Sequence, residues 1–513
     1  MRSANICYIY VRLTAGLLSS PLCLYCAAGI LSGIIRAMQQ LKSIAEVFLK
    51  NCLPYLVVFL MALYPSSDTD LGWHLKYGEY LVQNGRILRE NIHSLEMTDY
   101  QWINSSWAID GITYLIYNSW GFLGLTLAGA VTVTLILFFV GKAAGMTFWE
   151  KAVFFPLLTV IEEPLFQVSF RGQLLSLLFV SMLIYLLSRY NRIKDRRILW
   201  VIPLFILWSN LHGSFLLGIG IIFIYSLVAL IKYKRPDKTL SLVGLAAAAS
   251  SLINPFGWQI YAETWKHFGN PFQKYIIEWV PFPVFSEVWW TLVFWGLFLI
   301  ANVWYLHRKK KLSSSWEILI ISAVLFLLSS WMKRYAWTMY LVSAPLAVHL
   351  VKSIKPTDRV LKILLPSLIL FFFYLSAIFS LPSKRLTAMN WQRYCSEYLF
   401  CSDESAEYLL GLNSREKRLT FYNWGGWLIW NYPDLKPSID GRMHLWRDEN
   451  NYSAFGKYFF LEQNVTDIDK SEYDLVFITV NKPLYLRLAA LAESGKWQML
   501  YKDERAGIFV RNK

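Results

Sequence analysis

The chain has 513 residues and a formal charge of +15; 56% of its residues are hydrophobic and only 17% are charged. A soluble domain is nearer half apolar and a quarter charged, and the apolar excess here comes in blocks of about twenty residues, the length that crosses a hydrocarbon core of about 30 Å. A soluble globular protein is therefore excluded. So is a nucleic-acid binder, because the basic residues lie in short links between apolar blocks rather than in one patch.

An apolar run over 13–35 reads as a further span, a signal anchor or sequence upstream of a later start at Met38, and residues 1–46 are set apart on that ground. Spans are predicted over 47–64, 121–140, 152–168, 172–188, 198–211, 214–231, 239–253, 288–306, 315–331, 335–351 and 361–380. The expectation is an α-helical polytopic membrane protein of about 11–12 transmembrane helices, with a transmembrane domain over 47–380 and a first external loop over 66–120.

Alternate links hold most of the basic residues: Lys142 and Lys151; Arg189 to Arg197; Lys232 to Lys238; Arg308 to Lys311; Lys352 to Arg359. The positive-inside rule puts that set in the cytoplasm. The loop 66–120, the link 254–287 and everything after 381 are then extracytoplasmic, in a plasma (inner) membrane. The tail, 381–513, changes to polar turns with short β-like runs, "RLTFY", "DLVFITV", "WQMLY" and "GIFVR", and reads as a small α/β domain. Cys395 and Cys401 lie on the oxidising side, and their spacing permits a disulfide.

Polar residues gather where spans meet the exterior. They are Asp68, Asp70 and His74 in "LYPSSDTDLGWHLKYG"; Glu162, Glu163 and Arg171; Asn210 and His212 in "WSNLHG"; Asn254 in "NPFG"; and Lys333 and Arg334 in "WMKRY". Charges at a membrane boundary often mark a site or pathway. Each has a plainer reading: a solvated loop carboxylate, an interhelical turn, a lysine or arginine snorkelling to headgroups. His74 follows Asp70 by four residues, so on a helix the two share a face; alternatively Asp70 simply sits at the positive end of a helix dipole.

The stretch "DLGWHLKYGEYLVQNG" resembles the first external loop of the GT-C superfamily of membrane glycosyltransferases, as in oligosaccharyltransferase catalytic subunits and, more distantly, protein mannosyltransferases. It is closer still to a bacterial set carrying "DxDxxWHLxxG", "WxNxHGxF", "NPxG", "GGYLIW" and "DGR". Here those read "DTDLGWHLKYG", "WSNLHGSF", "NPFG", "GGWLIW" (Gly425 to Trp430) and "DGR" (Asp440 to Arg442). The resemblance runs from about residue 60 to the end.

It implies a GT-C-like fold and transfer of sugar from a polyprenyl-phosphate donor to a glycan, lipid or protein acceptor on the outer face. Asp70 matches the catalytic Asp and Asp68 is its partner. Either would act as base or hold Mg or Mn against phosphate. Arg171, Lys333 and Arg334 become candidates for the donor phosphate, His74 and His212 for donor binding, and Glu96 with Asp99 for a second acidic motif. The alternatives are a transporter or flippase for a lipid-linked glycan, and a catalytically inactive GT-C scaffold.

Overall fold

The computed structural model describes residues 21–166, 170–267, 269–308, 316–354, 389–412 and 416–512. The chain divides into two units, Met1–Leu56 and Val57–Lys513. The helix Pro21–Met61 is continuous, where a break near residue 46 was expected. Charged residues interrupt the apolar pattern there, but Ala, Gln, Lys, Glu and Leu are all good helix formers, so the helix carries through. The expected span over 361–380 lies outside the described residues.

The other predicted spans overlap the helices Trp107–Ala144, Phe148–Ile161, Gly172–Ile193, Val201–Leu211, Phe215–Tyr233, Lys238–Ser250, Glu287–Arg308, Trp316–Trp331 and Arg334–Ile354, the span over 152–168 being broken after Ile161 and ending outside the described residues. Among the described residues, four of them are long and apolar enough to cross a membrane: Trp107–Ala144, Gly172–Ile193, Phe215–Tyr233 and Glu287–Arg308. That is fewer full-length spans than the sequence pattern suggests, because several apolar blocks are cut short by polar turns; Lys238–Ser250 and Trp316–Trp331 fall in the shorter class.

Gly121 divides the longest of these helices. Its φ of 59° with ψ of −149° is open to glycine alone, so Trp107–Ala144 is a short arm followed by a longer apolar helix. The arm lies within the 66–120 segment. The span ends at Ala144 beside other basic links: Lys352 pairs with Glu150 at 3.4 Å, and Lys194 pairs with Asp237 at 2.7 Å. Asp195 and Asp237 cap the helices that follow them, accepting from the Arg197 and Leu240 N–H groups at 2.9 and 3.1 Å.

The tail forms a four-stranded sheet of β1 (Arg418–Thr420), β2 (Leu475–Thr479), β3 (Trp497–Lys502) and β4 (Ala506–Arg511), in the order β1-β2-β4-β3. β1 and β2 are parallel, with Leu419 opposite Val476; β4 is antiparallel to both its neighbours. β2 is buried along its whole length, which explains its unbroken apolar sequence. The loop of 66–120 is stitched to this domain by backbone bonds from Leu95 N–H to the Pro437 carbonyl, 2.9 Å, and from Glu96 N–H to the Ser438 carbonyl, 3.1 Å.

Candidate functional site

Three of the sequence motifs pack into one another. The helix Leu71–Asn84 starts at Asp70, whose N–H donates to Asp68 Oδ1 at 3.1 Å, and stops at Gly85, whose φ of 64° and bond to the Leu81 carbonyl make a left-handed cap. Glycines at its surface allow close approach: a Cβ on Gly72 would stand 1.9 Å from the Gly426 carbonyl oxygen, and one on Gly78 2.1 Å from that of Asp110. A Cβ on Gly426 would lie 2.8 Å from the Thr69 carbonyl oxygen, and one on Gly441 1.8 Å from Asp70 Oδ1. "DTDLGWHLKYG", "GGWLIW" and "DGR" are thus one interlocked unit, and it closes around Asp70.

Arg171, just ahead of the Gly172–Ile193 helix, faces the acidic pair. Its Nη1 donates to Asp68 Oδ1 at 3.1 Å, and its Nη2 stands 3.9 Å from Asp70 Oδ2. The Tyr394 hydroxyl donates to the Asp68 carbonyl oxygen. Asp68 is buried at 5% exposure, whereas the Asp70 side chain keeps 23%. Burial and the adjacent Asp68 charge push the Asp70 carboxyl up to about 6, against the pull of Arg171 and His74.

His74 is held by a residue the sequence did not single out. Its Nδ1 shares a hydrogen with Asp110 Oδ1 at 2.6 Å, and Asp110 Oδ2 accepts from Asn104 Nδ2 at 2.6 Å. Burial alone would lower the His74 pKa. The Asp110 charge and hydrogen bond outweigh it, with help from Asp68 and Asp70, so His74 is raised above its usual range. Its ring stacks on Trp73 at 3.6 Å.

A cavity of about 430 Å³ is lined in part by Gln173 and Ser176, on the helix that follows Arg171. Its lining includes the apolar side chains Leu177, Val180, Ile221, Ile224, Leu325 and Leu328 and the polar ones Gln173, His212, His267, Glu278 and Arg334. Gln173 Nε2 donates to Glu278 Oε2 at 2.6 Å. Burial would raise Glu278, but Arg171 and Arg334 overcome it and hold the carboxylate below its usual range. Burial and the charges of Arg334 and Arg171 keep His212 neutral, well below the usual histidine range. His212 Nδ1 lies 2.7 Å from Ser176 Oγ.

The remaining predicted residues divide. Arg334 and His212 line the cavity, while Lys333 sits next to Glu278 outside the lining and its backbone N–H donates to the Val280 carbonyl at 3.1 Å. Asn210 accepts from Trp107 Nε1 at 3.1 Å, and Asn254 folds its own turn through Phe256 N–H, so both are structural. Tyr64 donates to Glu163, and Glu162 is fully buried. The expected second acidic motif is overturned: Glu96 accepts from Tyr473 and Tyr452 at 2.9 and 2.7 Å, and Asp99 is exposed. Glu96 is thereby committed to joining the loop to the tail.

The "DGR" pair is the most deeply buried ion pair of the region. Arg442 donates to both oxygens of Asp440, at 2.7 and 2.6 Å, with neither side chain exposed. Its other N–H groups reach Tyr77, and Asn91 and Ser94 at 3.0 Å each. Three aromatic faces, Tyr77, Trp102 and Trp446, surround the guanidinium. Cys395 and Cys401 form a disulfide, with Cα atoms 5.0 Å apart, directly after Tyr394.

No family model matches the chain, and no curated protein matches it. Solved structures of the oligosaccharyltransferase AglB from Archaeoglobus fulgidus do. The AglB structure in complex with an inhibitory peptide and a dolichol-phosphate has a TM-score of 0.54 at 12% identity, covering 84% of this chain and 70% of AglB. The apo form gives 0.52 at 12% identity, covering 83% of this chain and 69% of AglB. The form tethered to an acceptor peptide containing the NVT sequon gives 0.51 at 12% identity, covering 84% and 70%. The fold is AglB-like. The expected resemblance holds at the level of fold.

A divalent cation does not fit the residues around Asp70. Mg or Mn asks for about six oxygen ligands at roughly 2.1 Å. Asp68 Oδ1 is already bonded to two N–H groups, Asp70 Oδ1 is pressed by Gly441, and a guanidinium stands between the two carboxylates. Among the described residues, no cluster of three His, Cys, Asp or Glu side chains is placed to share an ion.

Proposed function

We propose that the chain is an inverting membrane glycosyltransferase of GT-C type, moving a sugar from a polyprenyl-phosphate-linked donor to a glycan, lipid or protein acceptor on the outer face of the plasma membrane. The observation that carries the reading is a raised, partly exposed carboxylate, Asp70, 3.9 Å from Arg171, which directly precedes a helix whose Gln173 and Ser176 line a cavity of mixed apolar and polar walls. Such a cavity suits an amphiphile, whose anionic head would be met by Arg334 in the lining and by Arg171 just ahead of it in the chain. AglB, with the same fold, has been captured with dolichol-phosphate and with an acceptor peptide, which supports a lipid-linked donor here.

In the reaction, an acceptor hydroxyl attacks the anomeric carbon and gives its proton to Asp70. The bond from that carbon to the phosphate oxygen breaks, and its electron pair stays on the phosphate. Arg171 and Arg334 offset the charge that develops there, and His74, held by Asp110, adds a further positive centre beside Asp70. A positioned base of this kind is worth about 10²–10⁴-fold.

The rival reading, a transporter for a lipid-linked glycan, needs ionisable groups near the bilayer midplane and repeat symmetry; the charged cluster here belongs to helix ends. Mass analysis of envelope glycans with and without the gene tests the proposal. A sugar lost in the deletion supports transfer. A lost sugar with donor lipid trapped on the inner leaflet supports transport instead, and an unchanged glycan contradicts both readings.

A further inference from the structure

Asp68, Asp70 and Arg171 form a charge group that is complete without an added ion. Two carboxylates that face each other across a short turn repel, and the usual remedies are a shared proton, a divalent cation or a cationic side chain. Here the third is built in. The Arg171 guanidinium spans the pair, bonded to Asp68 Oδ1 at 3.1 Å and standing 3.9 Å from Asp70 Oδ2. Its charge is held up by Asp68, Glu278 and Asp70 against the effect of burial. It sits at the start of the Gly172–Ile193 helix, so its Cα is fixed by a rigid element.

We propose that Arg171 occupies the place a divalent cation would take between Asp68 and a donor phosphate, so that the acidic pair works without a metal. The inference rests on the glycosyl-transfer reading and assigns the cation's role within it. The asymmetry of the contacts gives each carboxylate its own task. Asp68, buried and doubly bonded at Oδ1, is the anchor. Asp70, held more loosely and partly exposed, is left free to take a proton. A guanidinium has five N–H donors in a fixed fork, so it can bind Asp68 on one edge and a phosphate oxygen on another. Unlike a metal it cannot be removed by chelation, and unlike lysine it does not lose its proton on burial.

The test uses the purified full-length protein, stripped with EDTA and titrated with Mn²⁺ alone, reading the free Mn²⁺ signal by electron paramagnetic resonance. Wild type is expected to leave the signal of added Mn²⁺ undiminished. Arg171→Met, which keeps the stem and removes the charge, is expected to remove one equivalent, and Arg171→Met with Asp68→Asn to lose that capacity again. Arg171→Lys, which keeps a charge and guards against a folding failure of the methionine variant, is expected to behave as wild type. Removal of one equivalent by wild type, abolished by Asp68→Asn, overturns the proposal, as does a folded Arg171→Met that takes up none. Because the readout is binding, a failure of sugar transfer leaves this result standing on its own.

Discussion

Gly441 lies directly against Asp70: a Cβ at position 441 would stand 1.8 Å from Asp70 Oδ1. The glycine of "DGR" is therefore a wall of the site, 371 residues away in sequence from the carboxylate it borders. Gly441→Ala is expected to displace the Asp70 side chain while leaving the tail domain folded. Sugar transfer should fall by about the 10²–10⁴-fold that a positioned base supplies. Circular dichroism and transfer kinetics measured on the same preparation separate lost folding from lost positioning. A fully active alanine variant contradicts the contact.

Arg442 should be a stability residue. Removing one partner of a buried ion pair strands the other charge and costs about 3–5 kcal/mol. Arg442→Met is expected to lower the melting temperature strongly, with Arg442→Lys intermediate. The sign of the pH effect follows from Asp440. Burial would raise its pKa, but Arg442 wins and holds it below the ordinary carboxylate value. Its contribution is then present above about pH 4, where the unfolded carboxyl ionises, and is lost as pH falls through the lower folded value. Melting curves from pH 7 to 3 check this.

Asp70 must be ionised to accept a proton, and its pKa is raised to about 6. Activity should therefore rise as pH passes through about 6. The limb should move downward in Asp68→Asn, which removes a repelling charge. His74 is raised chiefly because Asp110 overcomes its burial. Asp110→Asn should lower that value and bring the alkaline limb to lower pH. A profile of kcat/KM against pH reads both limbs in the free enzyme. An acid limb near 4 in the wild type contradicts the placement of Asp70.

The Cys395–Cys401 disulfide follows Tyr394, which donates to the Asp68 carbonyl oxygen. Both cysteines are buried, at 1% and 0% exposure, so the bond should resist reductant in the folded protein. Closing so short a loop stabilises by about 2 kcal/mol in the chain-entropy model. Cys401→Ser should lower stability by that order and weaken transfer by loosening Tyr394. Alkylation with and without denaturant, followed by mass measurement, shows whether the bond forms; free thiols in the native protein contradict it and the oxidising side assigned to the tail.

Asp70 was legible because it stands in a dense local pattern at the end of an apolar run, and the span positions followed from hydropathy. Asp110, Glu278 and Tyr394 were not. Each is one polar residue in an ordinary stretch, and only the fold brings it to His74, Arg171 or Asp68. The glycines of "DLGWHLKYG", "GGWLIW" and "DGR" were visible as a motif, but their reason, backbone meeting backbone and Asp70, is a tertiary fact. Glu96 misled for the converse reason: a carboxylate reads the same in sequence whether it faces a substrate or two tyrosine hydroxyls.

The central claim is that Asp70 is the base. The most direct measurement is transfer of a labelled sugar from a polyprenyl-phosphate donor by purified wild type and Asp70→Asn. Asparagine keeps the shape and cannot take the proton or carry the charge. Because the side chain is partly exposed, the variant should melt near the wild-type temperature. The account predicts active wild type and a loss of about 10²–10⁴-fold in the variant. Transfer by Asp70→Asn at near the wild-type rate would contradict it.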